Sequence, residues 1–336
     1  MSATTNMEPN ICTMPDLVME KIVDFLDFKA VLTLRHVCHD LRNFVDDLKS
    51  LPDSKFTDID IVLESEKSIR LNFEYQNGQR DVIEYSKNSR SFNGRKTKLP
   101  ENLNIEEVAI SNLKLLLKFQ KSNLKWFFFK GSSAENDFPN KLSNILSSLT
   151  PRIKTENLQI LAFTQSQFMS ILPFFDAEVL KQISFSRPLF DTSNLKMDEI
   201  VKTEQWRKAE QLDLSGYNFE ANIENFVHFL MANVNFGSIF MEDLEFLRKR
   251  FLRSSEFQFF SITTKPFNEE DQLSTLWGPS YNSLFLKYWF FKMTNSDDRI
   301  LKIRFSKGDD EFEVLNFIDF CQIDLDSVPH GAVIQE

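Results

Sequence analysis

The residues of this chain that could do chemistry are few and scattered. It has 336 residues with only three cysteines and four histidines, against 49 acidic side chains. His36, Cys38 and His39 are the closest approach to a set of soft metal ligands. On a helix, adjacent and i+2 residues point in different directions, so one ion could not gather all three. His228 sits among Phe226, Val227, Phe229 and Leu230. That setting fits a satisfied, partly buried ring better than a general base. Asp297-Asp298 and Asp309-Asp310 fall in predicted turns, and paired carboxylates are commonplace in so acidic a chain. No phosphate-loop, dinucleotide, nucleophile-elbow, HExxH or CxxC pattern occurs. With 8 glycines, backbone cradles for phosphate are also poorly supplied. The expectation is a non-enzyme with no catalytic residues, no cofactor and no metal.

The bulk properties narrow the class further. A formal charge of −10 repels phosphate backbones, which argues against nucleic acid as a partner. No run approaches eighteen uninterrupted apolar residues, so no membrane span or membrane partner is expected. Residues 1–10 lack the basic-then-apolar order of a signal peptide. Cys12, Cys38 and Cys321 are too dispersed for a disulfide framework and suit a reducing compartment. Cytoplasmic or nuclear localisation is therefore expected.

The elements that must position anything functional begin near Thr13. Thr13-Met14-Pro15-Asp16 fits a helix start, with proline where its missing N–H does no harm. Leu17, Val18, Met19, Ile22, Val23, Phe25 and Leu26 then form an apolar stripe wider than one helix face needs. Asp27 starts a second helix with Val31, Leu32 and Leu34, and a third carries Val37, Cys38, Leu41, Phe44 and Val45. From Met14 to Val45, 18 residues are apolar without counting Pro15. So small a bundle hides only about 60% of its surface. The remainder makes a docking surface.

These residues carry a resemblance. Met14-Pro15-Asp16-Leu17-Val18, then Ile22, Leu26, Leu32, Leu34, Val37-Cys38 and Leu41-Arg42, resemble the F-box. Met14 stands where that family has leucine, a volume-conserving swap. The resemblance implies binding of a Skp-family adaptor, and through it a cullin, by Pro15, Leu17, Val18, Ile22, Leu26, Leu32, Leu34, Val37, Cys38 and Leu41. Cys38 then lies in an adaptor-facing helix. An apolar site there would suppress its thiolate, so it is rejected as a nucleophile.

Beyond Pro52 the period changes to two. Ile59, Ile61 and Leu63, then Ile69, Leu71, Phe73 and Tyr75, alternate with polar residues. Asn77-Gly78 predicts a hairpin, with a three-residue loop Asn77-Gly78-Gln79 opposing Phe73 to Ile83 and Leu71 to Tyr85. Lys87, Arg90, Arg95, Lys96 and Lys98 follow with no acid among them, and a solvated basic loop is expected. An anion-docking or nuclear-import patch is the sharper alternative.

An apolar-x-x-apolar-x-apolar pattern then recurs. It falls at Ile105/Val108/Ile110, Leu124/Phe127/Phe129, Leu158/Leu161/Phe163, Leu180/Ile183/Phe185, Ala209/Leu212/Leu214 and Phe257/Phe260/Ile262. A degenerate unit is placed near residues 234–239. Helical pieces alternate with these strands, at Leu113–Lys121, Leu142–Leu149, Phe168–Phe175, Ile200–Lys208, Ile223–Met231 and Leu244–Leu252. That alternation is the sequence form of a leucine-rich-repeat-like βα solenoid, although the repeat lengths are irregular and its usual asparagine is missing. An ordinary α/β domain is the rival reading.

Glu204-Gln205-Trp206-Arg207-Lys208-Ala209 and Ile171-Leu172-Pro173 are similar to runs of the FTH-type domain that follows the F-box in nematode F-box A proteins. Trp206 is read as a core aromatic. Leu284–Met293, Ile300–Phe305 and Phe312–Phe317 read as strands of a hairpin cap, with a turn at 307–310.

The expected fold class is α+β with an α/β repeat. Its domains are a disordered tail at 1–12, an F-box at 13–50, a small antiparallel sheet at 55–86 and a basic loop at 87–104. An FTH-type repeat domain at 105–265, a β-rich cap at 266–326 and a loose tail at 327–336 complete the chain. The functional expectation is the substrate-recognition subunit of an SCF-type cullin–RING ubiquitin ligase, with an unknown protein target. A non-degradative interaction scaffold is the alternative.

Overall fold

The computed structural model of the chain describes residues 11–35, 37–48, 52–65, 67–100, 102–187, 194–220, 222–266, 270–309 and 314–336. A 3-10 turn at Ile11–Thr13 leads into α1 (Asp16–Asp24), α2 (Phe28–Arg35) and α3 (His39–Asp47). Residues 11 and 12 are thus ordered rather than part of a loose tail. Pro15, not Thr13, holds the N-cap of α1, because Thr13 closes the preceding turn. Asp27 does start the second helix: its Oδ1 accepts from the Ala30 N–H at 2.7 Å.

Five strands follow: β1 (Phe56–Ser65), β2 (Ser68–Tyr75), β3 (Arg80–Ser86), β4 (Ser89–Phe92) and β5 (Arg95–Lys98). The β2–β3 register opposes Leu71 to Ile83 and Phe73 to Asp81, two residues from the expected pairing. The loop is 76–78, closed by Tyr75 N–H to Gln79 O at 2.9 Å, with Gly78 at φ +77°. Glycine reaches that left-handed conformation without steric cost, so it sits last in the loop rather than at its centre. Both registers share one parity, and the apolar face is unchanged.

The expected basic loop instead carries β4 and β5. Ser86 opposes Ser89 and Phe92 opposes Arg95, leaving two-residue turns. The second turn is Asn93-Gly94, with φ +47° and +81°, the left-handed pair that such a hairpin needs. Arg95, Lys96 and Lys98 decorate the edge strand β5 rather than a loop.

The first of the expected repeat strands is also a helix. α4 (Ile105–Phe119) starts at Asn104, whose side chain accepts from the Glu106 N–H, with Glu106 and Glu107 in the first turn. Apolar residues three apart face one side of a helix as readily as they mark a strand, and the capping decides.

After α4 the chain runs through β6 (Leu124–Lys130), α5 (Phe138–Ser148), β7 (Thr155–Leu161), α6 (Gln165–Met169), β8 (Gln182–Ser186) and β9 (Asn194–Lys196). Next come α7 (Glu204–Lys208), β10 (Gln211–Glu220), β11 (Met231–Phe236), α8 (Met241–Leu252) and β12 (Phe259–Thr264). The C-terminal part holds α9 (Glu270–Trp277), β13 (Tyr281–Ser283), β14 (Leu286–Lys292), β15 (Arg299–Asp309), β16 (Val314–Asp324) and β17 (Ile334–Gln335).

All of these strands join one mixed sheet. β1 pairs antiparallel with β2 and parallel with β6, so the antiparallel segment is no separate sheet. From β6 the ladder continues in parallel through β7, β8, β10, β11 and β12. Two apolar rows cross it in register. One runs Ile59, Phe127, Leu158, Ile183, Leu212, Ala232, Phe260; the other runs Ile61, Phe129, Ile160, Phe185, Leu214, Val234, Ile262. Every member of both rows is buried. In β7 the inward residues are Leu158 and Ile160, so the pattern that took in Leu161 and Phe163 was out of step.

The helical expectation at 168–175 breaks at a 3-10 turn, Leu172–Phe174, where Pro173 removes a donor. That at 223–231 shrinks to a 3-10 turn, Ile223–Phe226, and Met231 already belongs to β11. β16 pairs with both β12 and β15, so the C-terminal hairpin extends the sheet. β15 continues through Asp309 where a turn was expected, and the remaining calls at Asp310 and Phe312 lie outside the described residues. The tail is not loose: β17 lies parallel to β14, with Phe290 opposite Ile334.

Candidate functional site: an apolar ridge on the N-terminal helices

Two opposed faces divide the N-terminal helices. Met19 and Val23 lie four apart on α1 and point inward. Phe28 and Val31 of α2 and Leu41 and Val45 of α3 are buried as well. Phe28 packs edge-on against Phe56 at 5.2 Å and Phe119 at 5.0 Å, which fixes α2 to the sheet and to α4. Arg35 grips Asp46 through two hydrogen bonds, at 2.7 and 2.9 Å, joining α2 to α3. Lys118 of α4 donates to the Asp46 carbonyl at 2.8 Å. The module therefore stands rigidly on the body of the protein.

The other face is open. Leu17 is 70% exposed, Phe25 89% and Val37 66%, with Ile11, Met14, Pro15 and Val18 exposed beside them in sequence. Val18 and Phe25 are seven residues apart, two helical turns, and so share a side opposite Met19 and Val23. Large side chains left in water on a rigid support form a ridge that a partner can cover.

The ten expected contact residues divide accordingly. Pro15, Leu17, Val18 and Val37 are exposed. Ile22, Leu26, Leu32, Leu34 and Cys38 are half-buried, and Leu26, Leu32 and Leu34 pack against the core. Leu41, at 2% exposure, is sealed inside the helices and offers nothing to a partner. Phe25 was missing from the set, although its spacing from Leu17 and Val18 marked it.

No chemistry emerges at the other candidates. The Cys12 and Cys38 sulfurs lie 3.6 Å apart, and hydrogen bonding to Cys38 pushes the Cys12 thiol up, away from a reactive thiolate. His36 lies outside the described residues, and no cluster able to hold a metal is found among those described. Burial pushes the His228 pKa down, and its Nε2 meets the Trp206 carbonyl at 2.8 Å. A carbonyl only accepts, so Nε2 carries the proton and the ring is a structural donor.

The two runs similar to the FTH domain meet in space. The Gln205 side chain donates to the carbonyls of Phe175 at 2.7 Å and Pro173 at 3.2 Å. Trp206 is buried, donates to the Asn225 carbonyl at 3.0 Å and packs edge-on against Phe229. Their work is to join neighbouring segments.

Three helices with exposed apolar residues, seated on a mixed sheet, have the form of a docking module. The chain matches the family model of the F-box domain over residues 11–53 and that of the FTH domain over residues 136–279, and so has the F-box plus FTH architecture. Comparison with curated proteins finds no significant match, and neither does comparison with solved structures. The F-box implies adaptor binding within SCF-type ubiquitin ligases and substrate recognition in general, and both domain classes are typically non-catalytic.

Proposed function

We propose that this chain is the substrate receptor of an SCF-type cullin–RING ubiquitin ligase, acting in the cytoplasm or nucleus. The open ridge of Leu17, Val18, Phe25 and Val37 supports the reading most directly. It would seat in an apolar groove of a Skp-family adaptor, where a few central anchors dominate affinity. The remaining domain would hold a target protein close to the charged ubiquitin carrier, and the ring-finger partner would supply catalysis. The parallel ladder with its crossover helices is read here as an irregular solenoid, capped by the C-terminal hairpins.

The test is capture of a Skp-family adaptor by the full chain and by Leu17→Asp. Loss of capture with unchanged folding is expected, and undiminished capture would sink the proposal. A scaffold role predicts no rise in any bound protein on proteasome inhibition. A receptor predicts such a rise, lost again in Leu17→Asp.

A further inference from the structure

Where α2 meets β2–β5 and α4, a cavity of about 590 Å³ opens. Its walls are largely apolar: Phe28 and Leu32 from the F-box helix, Phe73 and Phe92 from the sheet, and Leu116 from α4. Small-molecule sites span roughly 300–1,000 Å³ with a few placed polar groups among apolar walls. This cavity has the size and the lining. What selects an occupant is its charge.

Three cations border the space, and two are neutralised. Lys29 Nζ lies 3.3 Å from Asp81, and Arg35 is held by Asp46. Asp81, the one carboxylate on the wall, is fully engaged. Burial pushes its carboxyl up, but hydrogen bonds from Tyr75 at 2.7 Å and Asn93 at 2.8 Å, with Lys29, outweigh that and hold it below the ordinary range. It stays ionised, and Lys29 balances it.

Arg90 is different. It is half-buried on β4, its Nε is shielded from solvent, and that atom has no hydrogen-bond partner among the described residues. No described carboxylate pairs with its guanidinium. Beside it stands Tyr85, whose phenol burial pushes up while the charge and hydrogen bonding of Arg90 pull it down; burial wins, so the hydroxyl that Arg90 meets stays protonated and neutral. A half-buried guanidinium answered only by a neutral hydroxyl keeps its full positive charge for an anion in the cavity. An anion would meet it at the terminal nitrogens, where charge-assisted hydrogen bonds are stronger than neutral ones.

We propose that this cavity binds a small amphipathic anion, an apolar body ending in a carboxylate or comparable oxyanion, with Arg90 as its anchor. The apolar part would lie between Phe28, Leu32 and Leu116, so occupancy would tie the F-box helix to the sheet.

The probe is 8-anilinonaphthalene-1-sulfonate, titrated into the full chain by fluorescence, beside its uncharged analogue N-phenyl-1-naphthylamine. Saturable one-to-one binding of the sulfonate is expected. Arg90→Gln should weaken it at least tenfold and Arg90→Lys less, while the uncharged analogue binds all three proteins alike. Equal sulfonate affinity in wild type and Arg90→Gln, or no saturable binding, would overturn the proposal. Should Arg90→Gln fail to fold, Thr97→Trp decides. It fills the exposed β5 side of the cavity and should block the probe, so unaltered binding there is equally fatal.

Discussion

At the scale of single residues, exposure separates recognition from folding on the same three helices. Phe25 is almost bare while Leu41, sixteen positions on, is sealed. Phe25→Asp removes a side chain that the proposed function makes an anchor but buries nothing new, and surface substitutions of that kind shift stability by about 0.5 kcal/mol or less. Leu41→Asp places a charge among apolar neighbours with no partner, at a cost of about 3–5 kcal/mol. The expected outcome is a clean split. Phe25→Asp loses adaptor capture with its melting temperature intact, whereas Leu41→Asp loses both together. Calorimetry beside a pull-down reads the two. If Phe25→Asp retains capture, the exposed ridge is not the binding face. The F-box-like order of apolar residues was legible in sequence, but which of them face outward was not. Leu26, Leu32 and Leu34 fit the same stripe as Leu17, and only their packing against the core distinguishes them.

At the scale of elements, polar nodes fix how helices seat on the sheet. Glu245 on α8 takes two hydrogen bonds from Arg248, each 2.8 Å, and one of 3.0 Å from the Trp277 indole of α9. Arg248 in turn lies over the Phe291 ring of β14, 4.8 Å from its centre. Burial pushes the Glu245 carboxyl up, but Arg248, Trp277 and Lys249 together bring it down from 4.5 to about 2. A depressed carboxyl stabilises the folded chain fully above its unfolded pKa. That contribution is lost as pH falls from about 4.5 through about 2. Urea midpoints of wild type and Glu245→Gln should therefore differ at pH 6 and converge across that window. A gap that persists at the acid end would show that the ionised node is not responsible. Sequence reasoning missed α9 and this node alike, because a pair of helix-to-helix contacts leaves no periodic trace. It missed β4 and β5 for a different reason. The charge of Arg95, Lys96 and Lys98 masked the Asn93-Gly94 turn signal beside them, although charged residues are what an exposed edge strand favours. β6, β7, β8, β10 and β12 were the readable part, since each carries two inward residues in alternation, whereas β9 has a single buried residue, Leu195, and left no such trace. The crossovers between them were readable only where a full helix forms.

At the scale of the whole molecule, one apolar core runs from Val23 in the first helix to Phe320 in β16, so the units implied by the sequence do not have separate interiors. The C-terminal hairpin shows what that continuity entails. β16 lies on the outer edge of β12, setting Phe260 against Phe320 and Ile262 against Ile318. Phe320 also packs edge-on against Phe251 of α8. A chain ending at residue 265 would leave β12 with a row of unpaired backbone groups and both apolar rows open at their last strand. Such an edge is a template for pairing with another copy. The shortened chain should therefore assemble into higher-order species that grow with concentration, while the full chain stays discrete. Light scattering across a dilution series measures this directly. A discrete, cooperatively melting product of residues 11–265 would mean that the β6–β12 ladder closes its own core, and the hairpin would then be an accessory to the sheet. If the truncated chain assembles as expected, the last strands are a required part of the fold. The loops beside β14 and β15 then belong to the same folded unit as the β6–β12 ladder.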